Sequence, residues 1–187
     1  MILLGPETAL LALCVMVPWT LIRLAARVPL RRALAEALFA GYVLALLGVV
    51  FMPWRPLTTG DVPYLWNSVN LVPLRTVIEM VRDHPQRALL QLVGNIILFV
   101  PLGLLLPTLS TRCRRLGVTA AVGLAVSAGI ELVQFALLFS LASARSVDVD
   151  DVILNVTGAV LGYLVWRVIY RLTSPTAAVA ATAEASG

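Results

Sequence analysis

The chain of 187 residues contains no lysine, one histidine and two cysteines, and only 13% of its residues are charged. Soluble domains carry about 25% charged residues, so a water-soluble fold could not hide the apolar surface that remains. Cys14 lies inside an apolar run and Cys113 in a basic loop, so we expect neither a disulfide nor a metal framework. The sequence also lacks a serine elbow, an H-E-x-x-H motif and a Cys/His dyad.

The basic residues are 14 arginines, set against 10 acids, and the net charge is +4. These arginines are dispersed among the segments that flank apolar runs. They form no continuous stripe with interleaved aromatic residues, which is the pattern typical of nucleic-acid binding. We therefore expect no nucleic-acid partner and use the arginines to predict membrane topology.

Five apolar stretches run through the chain, and each is near the ~20 residues needed to cross a ~30 Å hydrocarbon layer. They are Leu3–Leu24, Leu34–Met52, Ala88–Leu109, Leu116–Phe139 and Val152–Leu172. Because backbone groups in lipid must be hydrogen-bonded internally, runs of this length form helices. The sequence predicts an all-α, polytopic membrane bundle of about five transmembrane helices, with residues 1–172 as a single membrane domain.

The arginines predict the side on which each connection lies. Loop Arg23–Ala33 carries four arginines and loop Ser110–Arg115 carries three, with no acid in either. Short arginine-rich loops stay in the cytoplasm. We therefore expect the N-terminus outside, the connections Pro53–Arg87 and Ser140–Asp151 outside, and the C-terminus inside. Residues 173–187, rich in alanine, threonine and serine, are expected to be a disordered cytoplasmic tail.

A short helix is predicted within the long outer connection. Leu74, Val77, Ile78 and Val81 have the spacing of one helical face, and Asp83-His84-Pro85 ends the pattern. Such a helix either lies on the outer membrane surface or packs on the bundle. The sequence pattern fits both.

Polar side chains from three predicted helices share one layer in the outer half of the membrane. Asn95, Glu131, Gln134 and Asn155 lie roughly 5–12 Å below the outer surface at ~1.5 Å per helical residue. An acid at that depth costs about 2–3 kcal/mol, so Glu131 needs a partner or a proton. The four groups either join helices through hydrogen bonds or line a site.

Two stripes of small and polar residues are expected to bring the last two helices together. One lies on the fourth stretch and consists of Ala120, Gly123, Ser127, Glu131 and Gln134. The other lies on the fifth and consists of Asp151, Asn155, Gly158 and Gly162. These two stripes match each other, and the third stretch offers a further one of Gly94, Asn95 and Gly103.

The loop above this layer carries Arg145, Asp148, Asp150 and Asp151. Asp150 or Asp151 is expected to be the N-cap of the fifth helix, which still leaves other acids unexplained. Arg145 suits a phosphate or carboxylate, the acids suit Mg²⁺ or Ca²⁺, and a carboxyl can act as acid or base. The D-x-D-D spacing alone is a weak metal signal, so we expect no metal and no cofactor.

Three ordered blocks of the sequence resemble the VanZ-like family of bacterial membrane proteins. They are N-I-I-L-F-V-P-L-G-L-L-L-P (Asn95–Pro107), I-E-L-V-Q-F (Ile130–Phe135) and R-S-V-D-V-D-D-V-I-L-N-V-T-G-A-V-L-G-Y (Arg145–Tyr163). The element N-L-V-P-L (Asn70–Leu74) is also similar to that family's N-L-I-P-F, with Leu74 in place of an aromatic residue. The resemblance covers roughly residues 67–170.

The resemblance implies a helical protein of the bacterial plasma membrane. The family's namesake gives low-level resistance to teicoplanin, a lipid-tailed glycopeptide antibiotic, and the resemblance implies no particular reaction. The positions that match the family's polar motif are Asn95, Glu131, Gln134, Arg145, Asp148, Asp151 and Asn155. They nearly coincide with the residues selected by depth.

Our leading interpretation is a non-enzymatic accessory protein of the cell envelope, with membrane lipids as its surroundings. It would bind a lipid-linked envelope precursor or a lipoglycopeptide at the outer leaflet. Arg145 would meet the polar head, and Glu131, Gln134 and Asn95 would line the cleft. The alternatives are an intramembrane hydrolase or transferase acting on lipid-linked phosphates, with Glu131 or Asp148 as acid and base, and a small transporter. The sequence leaves the oligomeric state open.

Overall fold

The computed structural model describes residues 6–51, 68–140 and 146–173. The described helices are α1 (Pro6–Ala25), α2 (Leu30–Phe51), α3 (Arg75–Asp83), α4 (Pro85–Leu109), α5 (Leu116–Phe139) and α6 (Val149–Thr173). A 3-10 turn at Arg112–Arg114 precedes α5, and two short strands, β1 (Val69–Asn70) and β2 (Val147–Asp148), pair in parallel. The predicted all-α class is confirmed. Most of the predicted cytoplasmic tail lies outside the described residues.

Four helices, α2, α4, α5 and α6, are long and apolar enough to cross a membrane. Helix α1 has 20 residues, and its apolar part, Leu13–Ala25, is shorter than these four, so four of the about five expected spans are found among the described residues. Helix α2 begins at Leu30 rather than Leu34, and α4 and α6 also begin before their apolar runs. The reason is that backbone hydrogen bonding sets where a helix begins, and a polar first turn can extend beyond the hydrocarbon layer.

The bundle has two chemically different ends. Helices α4 and α6 run in the same direction, because Gly158 lies beside Ile96 and Gly162 beside Val100. Helix α5 runs against α6, because Asn155 contacts Ser127 while Tyr163 contacts Arg114. We call the end where α2 and α5 begin and α4 and α6 finish the arginine end. The opposite end, where α4 and α6 begin and which carries β1, β2 and α3, is the carboxylate end.

Helices α4 and α6 approach so closely that only glycine fits at their contact. A Cβ atom on Gly158 would lie 2.1 Å from the carbonyl oxygen of Ile96, and one on Gly162 would lie 2.1 Å from that of Val100. A Cβ on Gly103 of α4 would lie 1.9 Å from the carbonyl oxygen of Ala159. Small residues at membrane helix contacts allow such backbone approach. Of the two stripes offered as partners by the sequence, Gly158 and Gly162 therefore face the one on α4.

Asn155, nearer the start of α6 on the same stripe, does contact α5. Asn155 donates through Nδ2 to the hydroxyl of Ser127 at 2.9 Å, and a Cβ on Gly123 would lie 2.9 Å from the Ala159 methyl. Helix α2 joins the bundle through the Tyr42 hydroxyl, which donates to the Leu98 carbonyl at 3.0 Å. The buried core between these helices contains Leu46, Val50, Phe99, Leu102 and Ala159.

Helix α3 lies against α4 at the carboxylate end. Val77 and Met80 border a small cavity beside Gln91 of α4, so this face of α3 packs on the bundle. Ile78 and Val81 are exposed over more than half of their surface, as are Leu71 and Leu74 before them. The short helix predicted from the sequence is thus present, and its second apolar face is exposed.

Candidate functional site

Glu131 is held at the centre of the carboxylate end. It lies on α5 with 9% of its surface exposed, and its Oε2 accepts the backbone N–H of Asp148 at 2.9 Å. The parallel pairing of β1 with β2 sets Asn70 opposite Asp148. The Asn70 amide donates to Asp148 Oδ1 at 2.9 Å. The partner expected for Glu131 from the sequence is therefore the backbone N–H of Asp148, on the strand β2 that pairs with β1.

Two neighbouring aspartates cap helices. Asp148 Oδ1 accepts the N–H of Asp150, two residues on, which makes Asp148 the N-cap of α6. The expectation that Asp150 or Asp151 fills this role is wrong, because α6 begins earlier than its apolar run. Asp150 instead accepts the N–H groups of Leu74 and Val77 with its two carboxylate oxygens and so caps α3.

Asp151 connects α6 to α4. Its Oδ1 accepts a hydrogen bond from the Asn95 amide, and Gln91 on the preceding turn of α4 also bonds to it. A cavity of about 10 Å³ borders Asp150, Asp151 and Gln91. That space suffices for about one water molecule and for no larger ligand.

Asn155 lies on α6 one helical turn after Asp151. It is 5% exposed, and its Nδ2 donates to Ser127, while its Oδ1 has no hydrogen-bond partner among the described residues. Gln134 is buried on α5 one turn beyond Glu131. Both side chains lie between α5 and its neighbours rather than on the lipid face.

Six of the seven residues selected from the sequence lie at the carboxylate end. They are Asn95, Glu131, Gln134, Asp148, Asp151 and Asn155. Arg145 lies outside the described residues. Sequence reasoning missed Asn70 as a site residue, although it belongs to the N-L-V-P-L element, because its bond to Asp148 spans 78 positions. Ser127 was visible only as a small residue of the α5 stripe.

Four acidic side chains, Glu131, Asp148, Asp150 and Asp151, lie close together at this end. Asp148 and Asp151 both act electrostatically on Glu131, and Asp150 acts on Asp151. Within the part of the chain that the structure describes, the ion pairs use Glu36, Glu79 and Asp83 and none of these four acids. In that same part, no three His, Cys, Asp or Glu side chains converge to hold a metal ion. The cluster therefore suits a partner rich in hydrogen-bond donors.

A groove of about 300 Å³ opens beside the cluster, and we call it the α5–α6 groove. Its apolar walls come from α5, from the start of α6 and from Leu71 after β1. Glu131 and Asp148 also border it, but almost no polar surface is turned into the groove. The groove is thus apolar along its length, and the two acids lie at its edge.

The sequence model of the family described as VanZ/LLP1 matches residues 39–170, most of the chain. The chain belongs to the VanZ-like family. The match begins within α2 and includes α3 to α6, so every described site residue of this VanZ-like protein lies inside it. No curated protein and no solved structure matches the chain.

The family match also agrees with the helices that build the site. The VanZ-like region contains both glycine-mediated contacts and both capping aspartates, whereas α1 lies outside it. The site and its supporting contacts therefore form one unit, and α1 packs on α2 at the edge of that unit.

Proposed function

We propose that this VanZ-like membrane protein is a non-enzymatic accessory protein of the bacterial cell envelope that holds a lipid-tailed ligand at the carboxylate end. The supporting observation is that the apolar α5–α6 groove is bordered by Glu131 and Asp148 of the acidic cluster. A ligand with an acyl tail and a polar head matches both parts. Lipid-linked envelope precursors and lipoglycopeptides such as teicoplanin have this construction.

The apolar walls select a tail but supply little affinity. Lipid tails are as apolar as leucine, so a tail that moves from the bilayer to Leu132, Phe135 or Val152 gains mainly packing. The polar contacts must therefore decide which lipid-tailed molecule stays. This argument makes the two carboxylates the specificity-determining part of the groove.

The carboxylates favour a head that donates hydrogen bonds. Oε2 of Glu131 is occupied by the Asp148 N–H, whereas no described residue donates to the other carboxylate oxygen. A ligand hydroxyl, amide or ammonium can donate to that oxygen, and a charge-assisted bond of this kind is about twice as strong as a neutral one. Arg145, which lies outside the described residues, remains a predicted contact to an acidic group of the head.

An intramembrane hydrolase or transferase acting on lipid-linked phosphates is the second candidate. It is favoured by the two carboxylates that share one groove and act electrostatically on each other, an arrangement that acid–base catalysis uses. The substitution Glu131→Gln separates the candidates, because glutamine keeps an acceptor oxygen but transfers no proton. The change should be mild for a binding site and severe for an enzyme.

The experiment is a tolerance assay in a sensitive bacterial strain that expresses the protein. Tolerance to teicoplanin should rise much more than tolerance to vancomycin, which lacks the lipid tail. Ala128→Phe, which fills the α5–α6 groove, should remove most of the gain. Ala125→Phe is the matched control, because Ala125 is exposed on the same helix and does not line the groove.

Membrane abundance of each variant must be equal for this comparison. Arg145→Ala should also remove most of the gain, because Arg145 is a predicted contact to the polar head, and should leave membrane abundance near normal. Equal shifts for both antibiotics, or full tolerance with Ala128→Phe, would count against a lipid-tail site.

A further inference from the structure

A second cavity, of about 540 Å³, opens at the arginine end. It lies between the beginning of α2, the last turn of α4 and the last turns of α6. Its polar and aromatic lining includes Arg31, Arg32, Thr111, Arg114, Trp166 and Tyr170. The volume is in the range of small-ligand sites, and it is separated from the α5–α6 groove by the thickness of the bundle.

The arginines of this cavity lack sufficient acidic partners. Among the described residues, Glu36 is the acid at this end, and it already pairs with Arg23 at 2.6 Å and with Arg32 at 3.1 Å. Within the same residues, Arg31 and Arg114 form no ion pair. The Arg114 guanidinium lies 5.2 Å from the centre of the Tyr170 ring, a contact that fixes its position and leaves its charge uncompensated.

The start of α2 strengthens the positive field. Its first turn contains Arg31 and Arg32 and no acid, although a helix N-terminus itself favours negative charge. The positive end of the helix dipole repels the Arg31 and Arg32 side chains, and a bound anion would relieve this repulsion. The helix N-terminus and the arginines thus attract the same kind of ligand.

We propose that this cavity binds the phosphate of an anionic phospholipid headgroup, with Arg31 and Arg114 as its principal contacts. Arginine suits phosphate because its planar donors match two oxygens at once. Trp166 and Tyr170 supply aromatic side chains of the type that lies at headgroup level. Basic pockets at the ends of membrane helices hold anionic headgroups in this way, so the source of the phosphate is a lipid of the adjoining leaflet.

The test is lipid retention by the full-length protein. Protein in neutral detergent would be mixed with phosphatidylglycerol or phosphatidylcholine, and bound lipids would be counted by native mass spectrometry. The variant pair Arg31→Gln with Arg114→Gln would be compared with Arg75→Gln and Arg82→Gln. The control pair removes the same charge from exposed positions at the opposite end.

Wild-type protein should retain phosphatidylglycerol in preference to phosphatidylcholine. Each arginine near an anionic lipid contributes about fivefold to binding, so the double variant should bind phosphatidylglycerol about 25-fold more weakly. The control pair should bind as wild type does. Circular dichroism of the variants would establish that each is folded.

Inorganic phosphate supplies the discriminating arm. Weak competition by phosphate, which leaves phosphatidylglycerol bound, supports a lipid site. Binding of inorganic phosphate without preference between the two lipids would overturn the lipid assignment. Equal retention of both lipids without binding of inorganic phosphate, or undiminished phosphatidylglycerol binding by the double variant, would overturn the site itself.

Discussion

The two ends of the bundle use charge in opposite ways. At the carboxylate end, Asp148 and Asp150 are nearly fully buried. Asp148 accepts hydrogen bonds from the Asn70 side-chain amide and the Asp150 N–H, and Asp150 accepts the N–H groups of Leu74 and Val77. At the arginine end, Arg31 is exposed and borders an open cavity. The acids therefore hold helices and strands in place, whereas the arginines leave donors for other molecules.

This difference has a consequence for each proposed site. Glu131 and Asp148 are fixed by hydrogen bonds that join α5, β1, β2 and the start of α6, so the α5–α6 groove is preorganised and can select a ligand by its fit. The arginine cavity has long side chains on two helix ends and can adapt to headgroups of different size. Substitutions at the carboxylate end should then affect folding strongly, and those at the arginine end should affect it little.

The largest expected effect concerns which end lies in the cytoplasm, because a reporter fusion reads either cytoplasmic or external. Reporter fusions after Arg32 and Arg115 should read cytoplasmic, and a fusion after Asp83 should read external, because arginine-rich connections are retained inside. Activity of paired reporters, one active on each side of the membrane, measures this directly. An external reading at Arg115 would reverse the assignment of both ends.

The next largest effect is expected for Asp150→Ala. The change leaves the N–H groups of Leu74 and Val77 without their acceptors, and hydrogen bonds to a charged group contribute about 1.5–3 kcal/mol each. Leu74 also has a left-handed backbone, with φ of 65°, that these bonds hold. We expect a loss of about 3 kcal/mol in unfolding free energy.

Thermal unfolding in detergent would measure the loss from Asp150→Ala, and hydrogen exchange should show faster exchange at Leu74 and Val77. Asp83→Ala is the control, since Asp83 is half exposed and pairs with the adjacent Arg82. Equal stability of the two variants would mean that Asp150 is not a structural group.

The fold could largely be predicted from the sequence, because apolar length decides which segments cross a membrane. Helix α5 spans Leu116–Phe139, as its apolar run does. The contact between α4 and α6 could not be predicted. Small-residue spacing identifies a contact face but not its partner, and Gly158 fits either neighbour until backbone distances are known.

The candidate site shows the same limit. The position of Asn95, Glu131 and Asn155 along their helices predicts that they lie in one layer, because the rise per helical residue is fixed. The partners that satisfy them depend on loop geometry. The bond between Asn70 and Asp148 requires β1 and β2 to pair across 78 positions, and no local pattern encodes that pairing.

The smallest expected effect separates two arginines of the same end. Arg23 makes a two-bond contact with Glu36, at 2.6 and 3.0 Å, whereas Arg31 pairs with no acid among the described residues. Arg31→Gln should therefore change the unfolding free energy by no more than about 0.5 kcal/mol, as for other exposed positions. Arg23→Gln should cause a larger loss, because it leaves Glu36 with the more exposed Arg32 alone. Both measurements belong in neutral detergent, since a bound anionic lipid would stabilise the folded state of the parent protein by mass action. Equal losses for the two variants would make Arg31 a structural group and remove the contrast between the two ends.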